Sequence, residues 1–223
     1  MEALMDLAGR IENGDLREKI ISFLKDPSVS IEIFGDELTI EEAPASKKYH
    51  HSYAGGLVEH IVGTILIALE IVNMLQKVHQ IDFIKKDLII AGGILHDICK
   101  PLTYTKENSN YERSRLGSKI DHTSLIFGEI WSRKFPLELI HIVLAHHGKG
   151  SAAQPRSLEA LVLHLADYVD SNLLGDILIG AQKIMERVGK KSRIDNSKFA
   201  AMICAVMAKD GIEGVKRQLN NLE

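Results

Sequence analysis

The chain has 223 residues, of which 45% are hydrophobic and 26% are charged, and its formal net charge is -3. This composition excludes gross disorder and a generally basic nucleic-acid coat, and it is ordinary for a globular protein. A chain of this length can bury a substantial core, in one large domain or two small ones.

The cysteines and the N-terminus indicate the compartment. Cys99 and Cys204 are the only cysteines in the sequence, which gives no disulfide framework and suits a reducing environment. Residues 1–19 interrupt their apolar positions with acids and lack a secretory h-region, and no stretch approaches ~18 uninterrupted apolar residues. We therefore expect a cytoplasmic protein with no membrane partner.

The first 45 residues contain two kinds of pattern. Between residues 4 and 24 apolar residues recur at helical intervals, and Asn-Gly-Asp at 13–15 predicts a break between two short helices. Apolar and polar residues then alternate on both sides of a Gly-Asp pair, which predicts a small β-hairpin near residues 30–41.

The rest of the chain is helical in pattern. The predicted helices span residues 55–78, 86–99, 121–134, 136–147, 157–173, 176–189 and 196–208, with a short one near 212–221. Residues 101–119 show no clear period. Long irregular connections in compact domains are often functional, so this stretch is expected to lie near a site.

The segment GGILHDICKP, residues 92–101, places a histidine and an aspartate in an apolar helix, where buried polar groups need partners. Pro101 disfavours the helical conformation in the residue before it. The helix is therefore expected to end at about Cys99, with His96 and Asp97 in its last turn. The two glycines at the start of the segment would let a neighbouring helix come close.

Histidines and aspartates occur near the ends or on the apolar faces of several separate predicted helices. They are His60, His96, Asp97, His122, His146, His147 and Asp167. Helix bundles build metal sites from such inward-facing ligands. Seven groups exceed what one ion with an open position needs, and they suit two ions bridged by Asp97.

Each histidine also has a simpler interpretation. A single histidine on an apolar helix face is more often a hydrogen-bonded core residue than a metal ligand. We adopt that interpretation for His141, which is expected to pack, and for His50, which is expected to be structural. His79 is expected to face solvent. The His-Asp pair and the His-His doublet together favour the metal interpretation for the others.

Four segments resemble the HD superfamily of metal-dependent phosphohydrolases, an all-helical fold named for its adjacent His-Asp pair. They are HHSYAGGLVEH (50–60), ILHDICKP (94–101), HHGKG (146–150) and PRSLEALVLHLADYVDS (155–171). Within the superfamily they look most like the HD domain of bacterial 3′-5′ exoribonucleases. Those enzymes also carry an N-terminal OB-fold, for which about 45 residues before the match are too few, so long RNA substrates are not expected.

The resemblance implies an all-α HD-domain bundle in three parts. Residues 1–45 would form an N-terminal helical segment with the hairpin, and residues 46–175 the phosphohydrolase core. Residues 176–223 would contribute helices that complete the bundle, and the chain is also expected to be capable of homo-oligomer formation.

The resemblance also assigns ligands to two ions. The core ligands it implies are His60, His96, Asp97 and Asp167, and those of the second ion are His122, His146 and His147. Cys99 and Asp121 stand where the family usually has glycine. Asp121 could add a carboxylate to the second site or cap the helix that begins beside it.

Other residues are assigned roles around this centre. Asp97 and Lys100 are the predicted catalytic residues, since Lys100 matches the family lysine that lies near the substrate phosphate. His51, Lys149 and Arg156 are predicted to bind substrate. His164 and Asp170 share a helix face with Asp167, where they could orient a ligand or, for Asp170, face solvent.

The predicted function is metal-dependent hydrolysis of a phosphodiester or phosphomonoester in nucleic acid or nucleotides, with short RNA 3′ ends as the first candidate substrate. Two divalent ions among Mn, Fe, Co, Ni and Zn suit the mixed imidazole and oxygen ligands. One alternative is a small-molecule hydrolase that acts on nucleotide monophosphates, dinucleoside polyphosphates or cyclic dinucleotides. Another is a non-catalytic module that senses a nucleotide.

Overall fold

A computed structural model describes residues 1–27, 29–108, 110–151 and 153–221. The helices are α1 (Glu2–Gly9), α2 (Gly14–Lys25), α3 (Gly56–His79), α4 (Lys86–Leu95), α5 (Lys100–Thr103), α6 (His122–Ser132), α7 (Leu137–Ala145), α8 (Leu158–Arg187) and α9 (Ser197–Asn220). The antiparallel strands β1 (Tyr104–Glu107) and β2 (Asn110–Arg113) form a hairpin. The all-α prediction is confirmed.

The helix boundaries follow local sequence signals. Asn13, Asp121, Ser157 and Asn196 each accept a hydrogen bond from a backbone N–H of the following turn, which is the usual N-cap arrangement. Asp121 therefore caps α6, the second of the two roles open for it. At the other end of the chain, Gly211 takes φ 64° inside α9 and divides it close to the predicted break.

The long helices α3 and α8 pack against each other, and α4 lies against both of them. The main core combines residues from α1 and α2 with residues from α3, α4, α6, α7 and the start of α8, while a second cluster joins the later part of α8 to α9. The division at residues 45 and 175 stays a prediction.

α3 is long and apolar enough, by length and composition, to cross a membrane. A core helix of a globular protein has the same properties. One face of α3 is buried against α4 and α8, and that face carries the polar side chains of His60 and Thr64. This is the packing of a core helix.

The predicted hairpin near residues 30–41 is wrong. The described residues of that range form bends and turns with no strand, and the hairpin of this protein lies at 104–113. The alternating pattern does not form a strand because no sheet among the described residues packs on its apolar side. The side chains of Ile31, Ile33 and Phe34 are therefore exposed. The stretch predicted to be irregular, 101–119, instead contains α5 and both strands.

Two predicted helix ends are also corrected. α4 stops at Leu95, and residues 96–99 form a turn, while Pro101 lies in the first turn of α5, a position that tolerates proline. Near the other end of the chain, α8 runs unbroken where two helices, 157–173 and 176–189, were expected. Gly175 lies inside this helix, and the ring of Tyr49 packs where a side chain at that position would be.

Candidate metal centre

Five elements bring the predicted ligands to one place. His60 lies on α3, His96 and Asp97 on the turn after α4, and His122 in the first turn of α6. His146 and His147 follow the end of α7, and Asp167 lies on α8. All seven predicted ligands therefore converge on one region of the bundle, which reaches the surface at the exposed His147.

Glycines on α4 allow this convergence. A Cβ at Gly92 would lie 2.6 Å from Ile142 Cγ2 of α7, and a Cβ at Gly93 would overlap Ile65 of α3. Both neighbouring helices thus approach the α4 backbone more closely than a side chain would permit. This confirms the expectation for the two glycines.

The first cluster is formed by His60, His96, Asp97 and Asp167. His60 Nε2 lies 3.4 Å from His96 Nε2, 3.3 Å from Asp97 Oδ2 and 3.2 Å from Asp167 Oδ1. Three of the four side chains are fully or almost fully buried, and Asp167 is the most accessible at 14%. His60, His96 and Asp97 offer two imidazole nitrogens and one carboxylate oxygen within 4.8 Å of one another, which can surround one cation. Asp167 adjoins this group through His60.

The second cluster uses the other oxygen of Asp97. Asp97 Oδ1 lies 3.1 Å from His122 Nε2 and 3.8 Å from His146 Nε2. The His147 ring completes the group, with its centroid 3.8 Å from that of His146 and 5.4 Å from that of His122. Asp97 is therefore shared between the two clusters, as two bridged ions require.

Hydrogen bonds at the remote ring nitrogens orient the imidazoles. His96 Nδ1 donates to the Gly93 carbonyl at 2.7 Å, and His146 Nδ1 donates to the Val143 carbonyl at 2.6 Å. A neutral ring that donates from Nδ1 carries its lone pair on Nε2. The lone pairs of both rings therefore point at the clusters, which is the tautomer that binds a metal.

Two buried atoms of the centre lack hydrogen-bond partners within the described part of the chain. They are Asp97 Oδ1 and His146 Nε2, and both are acceptor or lone-pair atoms that face the second cluster. Unpartnered buried polar groups are costly and rare. A divalent cation coordinated by both atoms would satisfy them, so the residues fit the metal that the pattern predicts.

The electrostatics of the centre favour a cation. Burial alone raises the pKa of Asp97, but Lys100, His96 and the nearby His122 ring hold that pKa well below its ordinary value. Burial lowers the pKa of His146 well below its ordinary value and so keeps the ring neutral. A charged carboxylate beside a neutral imidazole is the state in which both groups bind metals.

Asp170 binds the ring nitrogen of His60 that faces away from the first cluster. His60 Nδ1 donates to Asp170 Oδ2 at 2.7 Å, and Asp170 is 4% exposed. Burial lowers the pKa of His60, but hydrogen bonds with Asp167, Asp170 and Asp97 raise it well above its ordinary value. From the sequence spacing, Asp170 could either orient a ligand or face solvent. In the structure it is buried and contacts the His60 ring, which is the orienting position.

His164 supports the second cluster indirectly. Its Nδ1 donates to the His146 carbonyl at 2.6 Å, and its ring packs on Gly148, whose φ is 58°. A Cβ at Gly148 would lie 2.5 Å from His164 Cε1. His164 therefore fixes the turn that follows the two histidines.

Lys100 lies inside the centre. Its Nζ is 2.5 Å from Asp97 Oδ2, and the residue is 7% exposed. Burial lowers the pKa of Lys100, but the charge and hydrogen bond of Asp97 raise it above its ordinary value. The ammonium group is therefore charged at neutral pH beside the shared carboxylate.

The predicted substrate contacts lie at different depths. His51 is 2% exposed, has φ 44°, and its Nδ1 lies 3.7 Å from Asp170 Oδ2. His50, expected to be structural, is half-buried, and its ring centroid is 4.9 Å from that of His60. His50 is the more accessible of the two rings, and the role of His51 in substrate binding stays a prediction.

Lys149 and Arg156 are exposed near the doublet of histidines. Lys149 lies in the 3-10 turn Gly148–Gly150, directly after the second cluster. Arg156 donates its backbone N–H to His141 Nε2 at 3.0 Å. Within the described residues neither side chain contacts the metal centre, so their role in substrate binding stays a prediction.

Cys99 belongs to the core. It is 2% exposed, and burial raises the pKa of its thiol to about 12. A thiol in this state is a packing group and a poor nucleophile.

An all-helical bundle with two His/Asp clusters joined by one aspartate, and a buried lysine beside that aspartate, defines a metal-dependent phosphohydrolase. Residues 57–172 match the HD domain family, which is more than half of the sequence. The chain belongs to the HD domain family, and it is an enzyme of that family.

One relative narrows the comparison. The chain is 41% identical over 175 residues to the dihydroneopterin 2′,3′-cyclic phosphate phosphodiesterase of Methanocaldococcus jannaschii, and the match covers 78% of this chain and 70% of the relative. No solved structure matches the chain. The resemblance to the HD superfamily is thus confirmed, whereas the likeness to the exoribonuclease subgroup stays a prediction. The relative acts on a cyclic phosphate.

Proposed function

We propose that this chain hydrolyses the 2′,3′-cyclic phosphate of a nucleoside-like small molecule to a phosphomonoester. The observation that carries the proposal is the position of Asp97 between two clusters, with one carboxylate oxygen in each. The activity of the relative supports the choice of a cyclic phosphate. This proposal follows the small-molecule alternative of the sequence analysis, with a cyclic mononucleotide-like substrate in place of the three named there.

The residues that would hold the ions divide between the two clusters. His60, His96 and Asp97 would hold one, with Asp167 beside His60 as a further ligand, and Asp97, His122, His146 and His147 would hold the other. The mixed nitrogen and oxygen set suits two divalent ions among Mn, Fe, Co, Ni and Zn. When bound, such ions act as Lewis acids toward a phosphoryl oxygen and make water nucleophilic near neutral pH.

The reaction adds one water across a P–O bond. The water oxygen forms a new bond to phosphorus, and the bond from phosphorus to one of the two ester oxygens of the cyclic phosphate breaks. That oxygen gains a proton, and the other ester oxygen keeps the phosphate as a monoester. Negative charge builds on the phosphoryl oxygens during this step, and the charged ammonium of Lys100, which lies beside Asp97, would stabilise it.

The buried groups of the chain keep the reacting centre rigid. Asp170 and the Gly93 and Val143 carbonyls fix the rings of His60, His96 and His146. Half-buried His50 would contact the substrate beside His60. Rigid donors that are already oriented reduce the reorganisation that the reaction would otherwise require.

A 3′-5′ exoribonuclease-like activity on short RNA is the second candidate. The resemblance of residues 43–60, APASKKYHHSYAGGLVEH, to bacterial exoribonucleases favours it. The two free cysteines fit the reducing cytoplasm that we propose as the location for either activity.

A substrate panel tests the proposal. Nucleoside 2′,3′-cyclic phosphates, short oligoribonucleotides, nucleotide monophosphates and dinucleoside polyphosphates are compared with Mn²⁺ present. We expect the cyclic phosphates to have the highest kcat/KM and the Asp97→Ala variant to lose activity on them by at least about 10³-fold. Preferred cleavage of oligoribonucleotides would support the second candidate, and no turnover of any substrate with any divalent metal would refute both.

A further inference from the structure

A pocket of about 480 Å³ opens beside the segment that carries His50 and His51. The later part of α8, the hairpin and the residues before α9 form its other walls. Four basic side chains and one acidic side chain line it. They are Lys48, Lys183, Lys191 and Arg193, and Glu186.

The pocket lies close to the metal centre, on the far side of Tyr49 and His50. Tyr49 lines the pocket, and its ring centroid is 6.0 Å from that of His50, which is 4.9 Å from that of His60. The Tyr49 and His60 rings therefore lie within about 11 Å of each other. A molecule the size of a nucleotide spans this distance.

Polar contacts connect the same two places. Ser171 Oγ donates to Asp167 Oδ1 at 3.3 Å and lies 3.4 Å from His50 Nε2. Tyr49 Oη donates to the neighbouring Asn172 Oδ1 at 3.2 Å. A row of polar side chains thus runs from Tyr49 at the pocket to Asp167 at the metal centre.

Arg193 connects the base of the pocket to the segment that carries His50 and His51. Its Nη2 donates to the Ser52 carbonyl at 2.7 Å, and its Nη1 lies 3.5 Å from Asn110 Oδ1. These contacts hold the planar guanidinium in one orientation at the pocket. An oriented guanidinium is a common phosphate-binding group.

The lysines give the pocket its positive charge. Among the residues that the structure describes, Lys183 and Lys191 form no ion pair, and Glu186 is the one acid in the lining. Cations that line one concave surface raise the local potential and attract an anion. The ligand class that this pocket fits is therefore a phosphate.

We propose that this pocket binds a second phosphate of the substrate while its cyclic phosphate occupies the metal centre. The inference rests on the proposed function and narrows the substrate to molecules with two phosphate groups. The second phosphate has two sources, the 5′-phosphate of the same nucleotide or the next phosphodiester of a short oligonucleotide that ends in a cyclic phosphate. Binding at the pocket is noncovalent and changes no bond.

The test compares three substrates on the metal-loaded enzyme. They are adenosine 2′,3′-cyclic phosphate, the same molecule with a 5′-phosphate, and a diribonucleotide that ends in a 2′,3′-cyclic phosphate. We expect at least one of the two substrates that carry a second phosphate to have a kcat/KM about tenfold or more above the first, mostly through KM. The substrate that shows the gain identifies the source of the second phosphate.

A double variant, Lys183→Gln with Lys191→Gln, is expected to remove this gain and to leave kcat/KM for adenosine 2′,3′-cyclic phosphate within about twofold of wild type. The matched control is Lys198→Gln with Lys209→Gln, which removes the same charge from exposed positions of α9 outside the pocket. The control should keep the gain. Equal kcat/KM for all three substrates, or a gain that survives in the pocket variant, would overturn the inference and leave the proposed function intact.

Binding gives an independent readout. Adenosine 5′-phosphate, which lacks the cyclic phosphate, is titrated by calorimetry into Asp97→Asn protein with and without the two lysine substitutions. We expect about tenfold weaker binding without the lysines. Equal affinity would contradict the pocket assignment even if hydrolysis of cyclic phosphates fails and the proposed function falls.

Discussion

At the scale of single residues, the centre depends on which atom of each side chain faces inward. His60 receives its orientation from Asp170, an acid that touches no predicted ion itself. A carboxylate behind a ligand histidine fixes the ring and raises its basicity, and its loss commonly weakens metal binding.

The Asp170→Asn variant tests this role. Asparagine keeps the size of the side chain but removes its charge, so we expect metal affinity to fall about 10- to 100-fold. The measurement is a competitive titration of Mn²⁺ or Zn²⁺ against a chromophoric chelator. Asp176→Asn, at an exposed position of the same helix, is the control and should bind as wild type. Unchanged affinity in Asp170→Asn would exclude a positioning role.

The buried histidines also predict how stability depends on pH. Burial, the largest cause, lowers the pKa of His50 to about 3 and that of His51 to about 4, from an ordinary value near 6.5. Below pH 6.5 these two histidines therefore bind more protons in the unfolded chain than in the folded chain, so they make the free energy of unfolding fall as pH falls. The loss for His51 ends near pH 4, where the folded state also takes up the proton.

We expect His51→Asn to flatten this slope by up to about 1 kcal/mol per pH unit between about pH 6 and 4.5. Asparagine tolerates the positive φ of this position. Urea denaturation of the metal-free protein across this range measures the slope. His79→Asn, at an exposed position, serves as the comparison and should keep the wild-type slope. A slope that His51→Asn leaves unchanged would show that His51 is not held neutral.

At the scale of elements, the close contact of α3 and α8 positions the ligands. Gly63 of α3 faces Asp170 of α8, and a Cβ at Gly63 would overlap Asp170 Oδ1. Gly56 likewise lies against the His51 carbonyl, where a Cβ would overlap the backbone. The absence of side chains at these two positions lets the acid of α8 and the His50-His51 segment reach His60.

Gly63→Ala is therefore expected to push Asp170 away from His60. We expect a loss of about 1–3 kcal/mol in the free energy of unfolding together with weaker metal binding. Denaturant titration and chelator competition measure the two effects. Gly128→Ala in α6, where a Cβ meets nothing within 4 Å, should instead stabilise the protein by about 0.5–1 kcal/mol. A Gly63→Ala protein with wild-type stability and affinity would contradict the close-packing account.

At the scale of the whole molecule, bound metal would connect elements that are distant in sequence. The two clusters draw on α3, the turn after α4, the start of α6, the end of α7, and α8. A ligand that binds only the folded state stabilises it by mass action. The centre should therefore contribute to the stability of the entire bundle.

Removal of metal is expected to lower Tm by several degrees. At a free metal concentration about 1,000 times Kd, binding adds about 4 kcal/mol, and chelation removes it. Thermal unfolding with and without EDTA gives the shift, and Asp97→Ala protein should show almost none. If wild type and Asp97→Ala shift equally, the stabilising ion lies elsewhere.

Sequence patterns by themselves determined the fold class and the seven candidate ligands. Apolar residues at helical intervals require a buried face, so α3, α6, α7 and the two parts of α9 appear at nearly the predicted positions. The polar residues His96 and Asp97 stand out in an apolar segment because burial without a partner is costly. That cost is why such groups can be recognised from the sequence alone.

Only the tertiary structure decided the local details. The pattern near residues 30–41 alternates like a strand, yet no sheet surface exists among the described residues there to bury it, and the hairpin forms at 104–113. Four further features depend on residues that are distant in sequence. They are the continuity of α8, the turn at residues 96–99, the orienting role of Asp170 and the basic pocket. Periodicity describes which face of a segment is apolar, whereas contact between distant segments determines which polar groups meet.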